Sequence, residues 1–192
     1  MIKFRKNIWE FANPNNFLSI ANKIVPFFLI LTIITLSVGL VWGLFFTPED
    51  YRQGSSVKII FIHVPTAFLA INIYFMMFLA SIIWLIRRHH VSLIAAKSAA
   101  LIGLIMTLSA IITGAIWGKP IWGTYWAWDP RLTSFSILLM FYLGYLSIWQ
   151  TMNFSDKIGD LSSWLCIVGS IFALLSRYAV FFWDQGLHQG PS

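Results

Sequence analysis

Five long apolar runs constrain this chain more than any other feature of its sequence. A membrane-spanning helix needs about 20 apolar residues to cross a hydrocarbon layer of roughly 30 Å. The runs cover residues 24–46, 59–86, 98–117, 132–150 and 161–183. None of them alternates polar and apolar residues with the period of two that a transmembrane β-strand requires. The sequence therefore predicts an all-α fold, a polytopic membrane bundle of five transmembrane helices.

The charged residues predict how this bundle is oriented in the membrane. Only 10% of the 192 residues are charged, whereas soluble domains carry about 25%. Lys and Arg concentrate in cytoplasmic loops, and eight of them lie in the N-terminal segment and around 87–97 and 151–160. Only four lie in the loops 47–58 and 118–131. We therefore expect a cytoplasmic N-terminus and external loops 47–58 and 118–131. The net positive charge is explained by this topology and does not indicate a nucleic-acid partner.

The apolar runs also divide the chain into three parts. Residues 1–23 form a cytoplasmic or interfacial segment, for which a surface helix and an unstructured tail are equally compatible. Residues 24–183 form the transmembrane domain, and residues 184–192 an external tail. No cleavable signal is evident, because the first apolar run is long and no small-residue cleavage site follows it. The one cysteine, Cys166, lies inside the fifth run, where a packing role is expected and neither a disulfide nor a zinc site can form.

Nine of the ten tryptophans fall into two groups. Those near the ends of the apolar runs are typical of interfacial anchors: Trp42, Trp84, Trp117, Trp149, Trp164 and Trp183. Trp122, Trp126 and Trp128 are crowded into the loop "WGTYWAWDP". If residues 120–128 form a short helix, Trp122 and Trp126 share one face with Tyr125. This loop is either a further interfacial anchor or an apolar platform on which a flat ligand stacks.

An Asp-Pro pair ends this loop just before the fourth apolar run. Asp is a favoured N-cap residue, and Pro is favoured at the first helical position. The pattern predicts that Asp129 caps the fourth helix and holds the aromatic loop against it.

Two histidines are predicted to lie on the external side, on separate segments. His63 occurs in "KIIFIHVPTAF", where Pro65 lacks an N–H and favours a break or a first helical turn. His188 occurs in the tail, "WDQGLHQGPS". A lone histidine near a membrane surface is usually just a hydrogen-bonded interfacial residue. His89 and His90 follow two arginines and are expected in a solvated basic turn on the cytoplasmic side.

The combination of two external imidazoles with an aromatic platform indicates haem. Two histidines can ligate a haem iron while the macrocycle lies against apolar and aromatic side chains. The haem propionates require cations, and Lys58, Lys119 and Arg131 are expected at the right level. An arginine is especially suited to a carboxylate, because it can bind both oxygens.

Several motifs resemble one family of haem-handling membrane proteins. The stretch "WGKPIWGTYWAWDPRLTS" resembles the tryptophan-rich WWD signature. Within that superfamily, the chain is similar to the CcmC family of system I cytochrome c maturation. "RQGSSVKIIFIHVPTA" and "LHQG" match the two histidine segments of the family, onto His63 and His188, and "VWGLFFTPEDYRQG" adds a third match. The resemblance covers nearly the whole chain from about residue 20.

The resemblance implies a non-enzymatic role. Such proteins hold haem b as cargo on the outer face of the bacterial inner membrane, or of a mitochondrial inner membrane that kept system I. They load it onto the haem chaperone CcmE, beside the transporter subunits CcmA and CcmB and the small protein CcmD. His63 and His188 would be the axial ligands. The other haem-binding residues would be Trp117, Trp122, Trp126, Trp128, Asp129, Arg131, Lys58 and Lys119.

One departure from the family and several alternatives remain open. The family usually has six helices, but this sequence stops four residues after His188, so we expect a natural short form or a truncated one. A haem lyase acting on apocytochrome c would share the WWD loop. A haem transporter permease would need polar groups inside its spans, and the predicted spans contain almost no charge. A b-type electron carrier and a purely structural subunit are the remaining alternatives.

Overall fold

The computed structural model describes residues 13–151 and 155–182. The expectations for residues 1–12, for Trp183 and for the tail with His188 lie outside this described part. The long helices are α1 (Pro14–Val41), α2 (Ile60–Arg87), α3 (His90–Trp122), α4 (Pro130–Thr151) and α5 (Asp156–Phe182). A π-helix, Trp42–Phe46, extends α1, and a 3-10 helix, Ser55–Ile59, precedes α2. Five helical segments are long and apolar enough to cross a membrane, which confirms the predicted polytopic helical fold.

The helices extend beyond the apolar runs, because capping residues set their ends. Asn13 caps α1, its Oδ1 accepting from the Asn15 N–H at 3.0 Å, so α1 begins ten residues before the predicted start of the first span. α3 continues through Pro120 to Trp122, and its C-cap is Gly123, which has a left-handed conformation with φ 75°. Glycine is the residue that adopts this conformation without strain. The short helix considered for residues 120–128 is therefore wrong: α3 includes Trp122, and residues 123–129 form a loop.

Helices α2 to α5 form the bundle, and α1 lies beside it. α2 contacts α3 and α5, and α4 contacts the same two helices. In contrast, α1 has no buried residue. The connections between successive helices α2 to α5 are short, so these helices run antiparallel. Loops 47–59 and 123–129 therefore share one end of the bundle, which we call the site end; the turn 88–89, the end of α4 and the start of α5 lie at the opposite end.

Small residues let large aromatic side chains pack inside the bundle. A Cβ atom on Gly103 of α3 would overlap the ring of Tyr142. The Tyr142 hydroxyl donates to the Ala70 carbonyl oxygen at 2.7 Å, which satisfies its hydrogen bond within an apolar surrounding. Such close contacts over small residues are typical of membrane helix packing. Cys166 is fully buried in this core and forms no disulfide, as expected for a packing residue.

Two of the predicted interfacial tryptophans are instead buried at the opposite end. Trp42 and Trp164 are 66% and 59% exposed, as expected for anchors, but Trp84 is 0% and Trp149 8% exposed. Trp84 Nε1 donates to Asp160 Oδ1 of α5 at 3.0 Å, and Asp160 also forms an ion pair with Arg88. The indole is buried because α5 supplies this acceptor. The anchor prediction is therefore wrong for Trp84 and Trp149.

Candidate functional site at one end of the bundle

His63 lies in the first turns of α2 and is held by the backbone of α3. Its Nδ1 is 3.0 Å from the Ala110 carbonyl oxygen and 3.2 Å from Thr113 Oγ1. Because a carbonyl oxygen can only accept, Nδ1 carries a proton in this contact, and in the neutral ring the lone pair is then on Nε2. Histidines that bind a metal through Nε2 commonly donate their other N–H to a backbone carbonyl. His63 thus shares this backbone hydrogen bond with many metal-ligating histidines.

Two neighbours on α3 fix the position of the His63 ring. A Cβ atom on Gly114 would lie only 2.8 Å from His63 Cε1, so the glycine leaves the space that the imidazole fills. The ring of Trp117 contacts His63 edge to face, with 5.7 Å between centroids and an interplanar angle of 67°. The His63 ring therefore lies between the backbone of α3 and the indole of Trp117.

A tight turn in the loop before α2 holds Trp117. Trp117 Nε1 donates to Gln53 Oε1 at 2.9 Å. Asp50 Oδ1 accepts from the N–H groups of Arg52 and Gln53 at 2.8 and 2.9 Å, and Gly54 N donates to the Asp50 carbonyl oxygen at 2.8 Å. Gly54 has φ 58°, a value that favours glycine. Trp117, predicted as a haem contact, is thus a support of His63, and sequence reasoning gave no signal for Gln53.

The tryptophan-rich loop begins where α3 ends. Lys119 Nζ donates to the Gly123 carbonyl oxygen at 2.9 Å and lies 5.2 Å from the Tyr125 ring centroid. Lys119, predicted to pair with a propionate, therefore stabilises the end of α3 in this structure. The rings of Trp126 and Trp128 meet edge to face, with centroids 5.6 Å apart.

Asp129 caps α4, as its position before Pro130 predicts. Its Oδ1 accepts from the Leu132 N–H at 2.6 Å, and its carbonyl oxygen accepts from the Thr133 N–H at 2.9 Å. The residue is only 3% exposed. Two residues along the chain, Arg131 Nε donates to the Ser176 carbonyl oxygen of α5 at 3.3 Å. The cap and this contact together fix the start of α4 against α5.

A cavity of about 220 Å³ opens among these elements at the site end. This volume is below the roughly 300–1,000 Å³ of common small-molecule pockets, so a ligand as large as a porphyrin would extend beyond it. The lining is mostly apolar and comes from α2, α3, α4, α5 and loop 123–129. It consists of His63, Val64, Ala67, Phe68, Ile71, Ala110, Ile111, Gly114, Ala115, Trp122, Tyr125, Trp126, Arg131, Leu132, Phe135, Ser176 and Arg177.

The cavity brings together some of the predicted site residues and not others. His63, Trp122, Trp126 and Arg131 all line it. The lining does not include Trp117, Trp128, Asp129, Lys58 or Lys119, and His188 is outside the described residues. Trp128 is 79% exposed, so the three tryptophans predicted to form a platform do not form a single surface.

Sequence reasoning missed other residues of this lining, chiefly Gly114, Ser176 and Arg177. Gly114 and Ser176 carry no local signal, because their roles depend on contacts across helices. Arg177 did carry a local signal, since a charged residue inside an apolar span commonly faces a cavity or a partner.

The donor set indicates what this arrangement can bind. Among residues 13–151 and 155–182, no three His, Cys, Asp or Glu side chains are grouped to hold a bare metal ion. A metal held in a macrocycle would bring further ligands of its own to His63. The aromatic and apolar lining suits a flat ring, while Arg131 and Arg177 suit acidic substituents.

Comparison with known proteins identifies the family of this chain. The family model described as "Heme exporter protein C" matches residues 7–192. Proteins with that same name are 59% identical over 186 residues in Rhodobacter capsulatus and 60% identical over 186 residues in Paracoccus denitrificans, covering 97% of this chain and 77% of each relative. The Escherichia coli K12 protein of that name is 36% identical over 187 residues, covering 97% of this chain and 76% of its own length. The chain belongs to the Heme exporter protein C family, CcmC.

Proposed function

We propose that this protein binds haem b as cargo at the site end and passes it to a haem chaperone during cytochrome c maturation. The hydrogen bond from His63 Nδ1 to the Ala110 carbonyl oxygen carries this proposal. It fixes the tautomer in which Nε2 can bind iron, in a residue that lines an aromatic cavity. The family membership supports haem as the cargo.

His63 would supply one axial ligand, and His188 the other. The match of "LHQG" to the second histidine segment of the family supports His188. With an iron ligand on each side, the porphyrin would lie against Trp122 and Trp126. The ring would extend past the cavity toward the lipid and water, as its size requires.

The distribution of basic residues supports a location of this site on the periplasmic face of the bacterial inner membrane. There the protein would act as a transfer subunit and not as an enzyme. Its partners would be CcmE, which receives the haem, together with CcmD and the transporter subunits CcmA and CcmB. These partners follow from the family resemblance.

Haem binding can be tested on the full chain reconstituted in lipid nanodiscs and titrated with haem. We expect His63→Ala and His188→Ala each to weaken haem retention and to shift the absorption spectrum. Added imidazole should restore the wild-type spectrum of His63→Ala, because the free base replaces the lost ligand. Unchanged spectra in both variants would refute the proposal.

The two histidines at the opposite end provide the matched control. His89 caps α3, its ring nitrogen accepting from the Ser92 N–H at 3.1 Å. The control is therefore His89→Asn with His90→Ala, because Asn also caps helices. This double variant should bind haem as the wild type does; a larger effect than that of His63→Ala would place the site at the wrong end of the bundle.

Transfer can be measured separately by adding the soluble domain of CcmE to haem-loaded protein. We expect haem to move to CcmE, seen as a change in its absorption. Haem attached to an apocytochrome without CcmE would instead support the haem lyase alternative.

A further inference from the structure

Two arginines from different helices meet at the cavity. Arg131 is the second residue of α4, and Arg177 lies near the site end of α5. Both line the cavity. Arg131 Nε donates to the carbonyl oxygen of Ser176, the residue next to Arg177, so the two arginines lie at the same part of the cavity. The positive charge of Arg177 acts unfavourably on that of Arg131.

Among the described residues, Asp129 is the acidic group that attracts Arg131, and its Oδ1 also accepts the hydrogen bond that caps α4. The ion pair between Arg88 and Asp160 lies at the opposite end of the bundle. Arg177 is exposed, so solvent screens part of the repulsion between the two arginines. An anion bound between them would remove this repulsion.

A third donor lies at the same cavity. Trp126 lines it, and the buried Trp126 Nε1 has no hydrogen-bond partner within the described part of the chain. A buried donor without a partner costs free energy, so a ligand acceptor here would be stabilising. Arg131 binds the Ser176 carbonyl oxygen through Nε. Its two terminal nitrogens can therefore bind a carboxylate.

We propose that Arg131 and Arg177 together bind the two propionate carboxylates of haem, so that the site selects porphyrins with free acid groups. This inference rests on the proposed function and adds Arg177 to it. An arginine presents planar, paired donors that match the two oxygens of a carboxylate. Two arginines on separate helices match the two propionates of one porphyrin edge. The clamp would orient the ring with its acidic edge toward α4 and α5 and bring the iron toward His63.

The test compares haem with its dimethyl ester, which has the same ring and iron but no free carboxylate. Both are titrated into nanodiscs of zwitterionic lipid that contain the wild type, Arg177→Gln or Arg177→Lys. Arg52→Gln is the matched control, because it removes the same charge from the site end outside the cavity lining. Thermal melting of each variant shows whether it is folded.

We expect the wild type to bind haem more tightly than the ester. Arg177→Gln should weaken haem binding about tenfold, the loss expected for one charge-assisted hydrogen bond, and leave ester binding unchanged. Arg177→Lys should lie between the two, and Arg52→Gln should match the wild type.

Two results would overturn the clamp while leaving the proposed function intact. One is an equal loss of haem and ester binding in Arg177→Gln, which would indicate a packing role. The other is an unchanged preference for haem over ester in both Arg177 variants, with a spectrum that still depends on His63. Failure of the wild type to bind either porphyrin would instead refute the proposed function.

Discussion

Gly114 and His63 approach so closely that a Cβ atom on the glycine would lie 2.8 Å from the imidazole Cε1. Real Cβ atoms do not tolerate contacts of this length with ring atoms. The absence of a side chain at Gly114 therefore allows α2 and α3 to approach at this level and lets His63 Nδ1 reach the Ala110 carbonyl oxygen. The hydrogen bond between His63 and the backbone of α3 therefore depends on a residue that has no side chain.

Gly114→Ala should therefore impair the site more than the fold. The added methyl group must displace the His63 ring and lengthen its hydrogen bond to Ala110. We expect severalfold weaker haem retention and an altered absorption spectrum. The cost of overpacking, about 1–3 kcal/mol, is partly offset by the higher helix propensity of Ala, worth about 1 kcal/mol.

Gly39→Ala is the control for this variant. Gly39 lies in α1, and a Cβ atom there meets nothing within 4 Å. Its haem spectrum and melting temperature should equal or exceed those of the wild type. A Gly114→Ala protein with an unaltered spectrum would show that the imidazole position does not depend on this glycine.

Asp129 offers a test of capping against charge. Asn caps a helix about as well as Asp, whereas Ala costs about 1 kcal/mol. If the hydrogen bond to the Leu132 N–H is the main role of Asp129, Asp129→Asn should behave like the wild type. Asp129→Ala should melt at a lower temperature and retain less haem.

The decisive measurement is haem per protein for the two Asp129 variants purified side by side. An Asn variant that melts normally but has lost its haem would show that the negative charge matters, because it orients Arg131.

The loop tryptophans should differ in importance, because only some of them line the cavity. Trp126→Leu should weaken haem binding about fivefold, equivalent to roughly 1 kcal/mol of aromatic contact. Trp128→Leu should have little effect, because Trp128 is 79% exposed and does not line the cavity. Titration with haem in nanodiscs measures both, and equal losses would mean that the ligand rests on the outer surface of the loop.

At the opposite end, Asp160 should matter for stability alone. Asp160→Leu leaves the buried Trp84 Nε1 without its acceptor, which costs about 1–3 kcal/mol. Asp160→Asn retains an oxygen for this hydrogen bond and should be milder, although it loses the ion pair with Arg88. Melting temperatures measure the difference. Haem per folded protein should be unchanged in both, and a selective haem defect would reveal coupling between the two ends.

The long helices could be predicted from the sequence, because membrane solubility requires continuous apolar runs. Their ends could not be predicted from hydropathy, since caps set them. Hydropathy places the end of the third span at residue 117, but α3 continues to Trp122, where Gly123 supplies the left-handed residue that ends the helix.

The candidate site was predictable only where its chemistry is local in sequence. Asp129 could be identified as a cap from its neighbour Pro130 alone. The support of Trp117 by Gln53 and the space left by Gly114 depend on residues that are far apart in the chain. The burial of Trp84 could not be predicted for the same reason, because the acceptor of its N–H lies 76 residues away on α5.

The length of α3 has a consequence for how the cavity sits in a lipid bilayer. Its 33 residues form a continuous rod of about 50 Å, well above the roughly 30 Å of a hydrocarbon layer. Trp122, at one end of this rod, is rigidly connected to the Arg88–His89 turn at the other. The apolar run 98–117 within this helix is about 30 Å long and matches that layer, so both ends of α3 project beyond the hydrocarbon. Because α3 is continuous, we expect the fit of this run to the bilayer to hold Trp122 and the cavity beside it at the level of the headgroups.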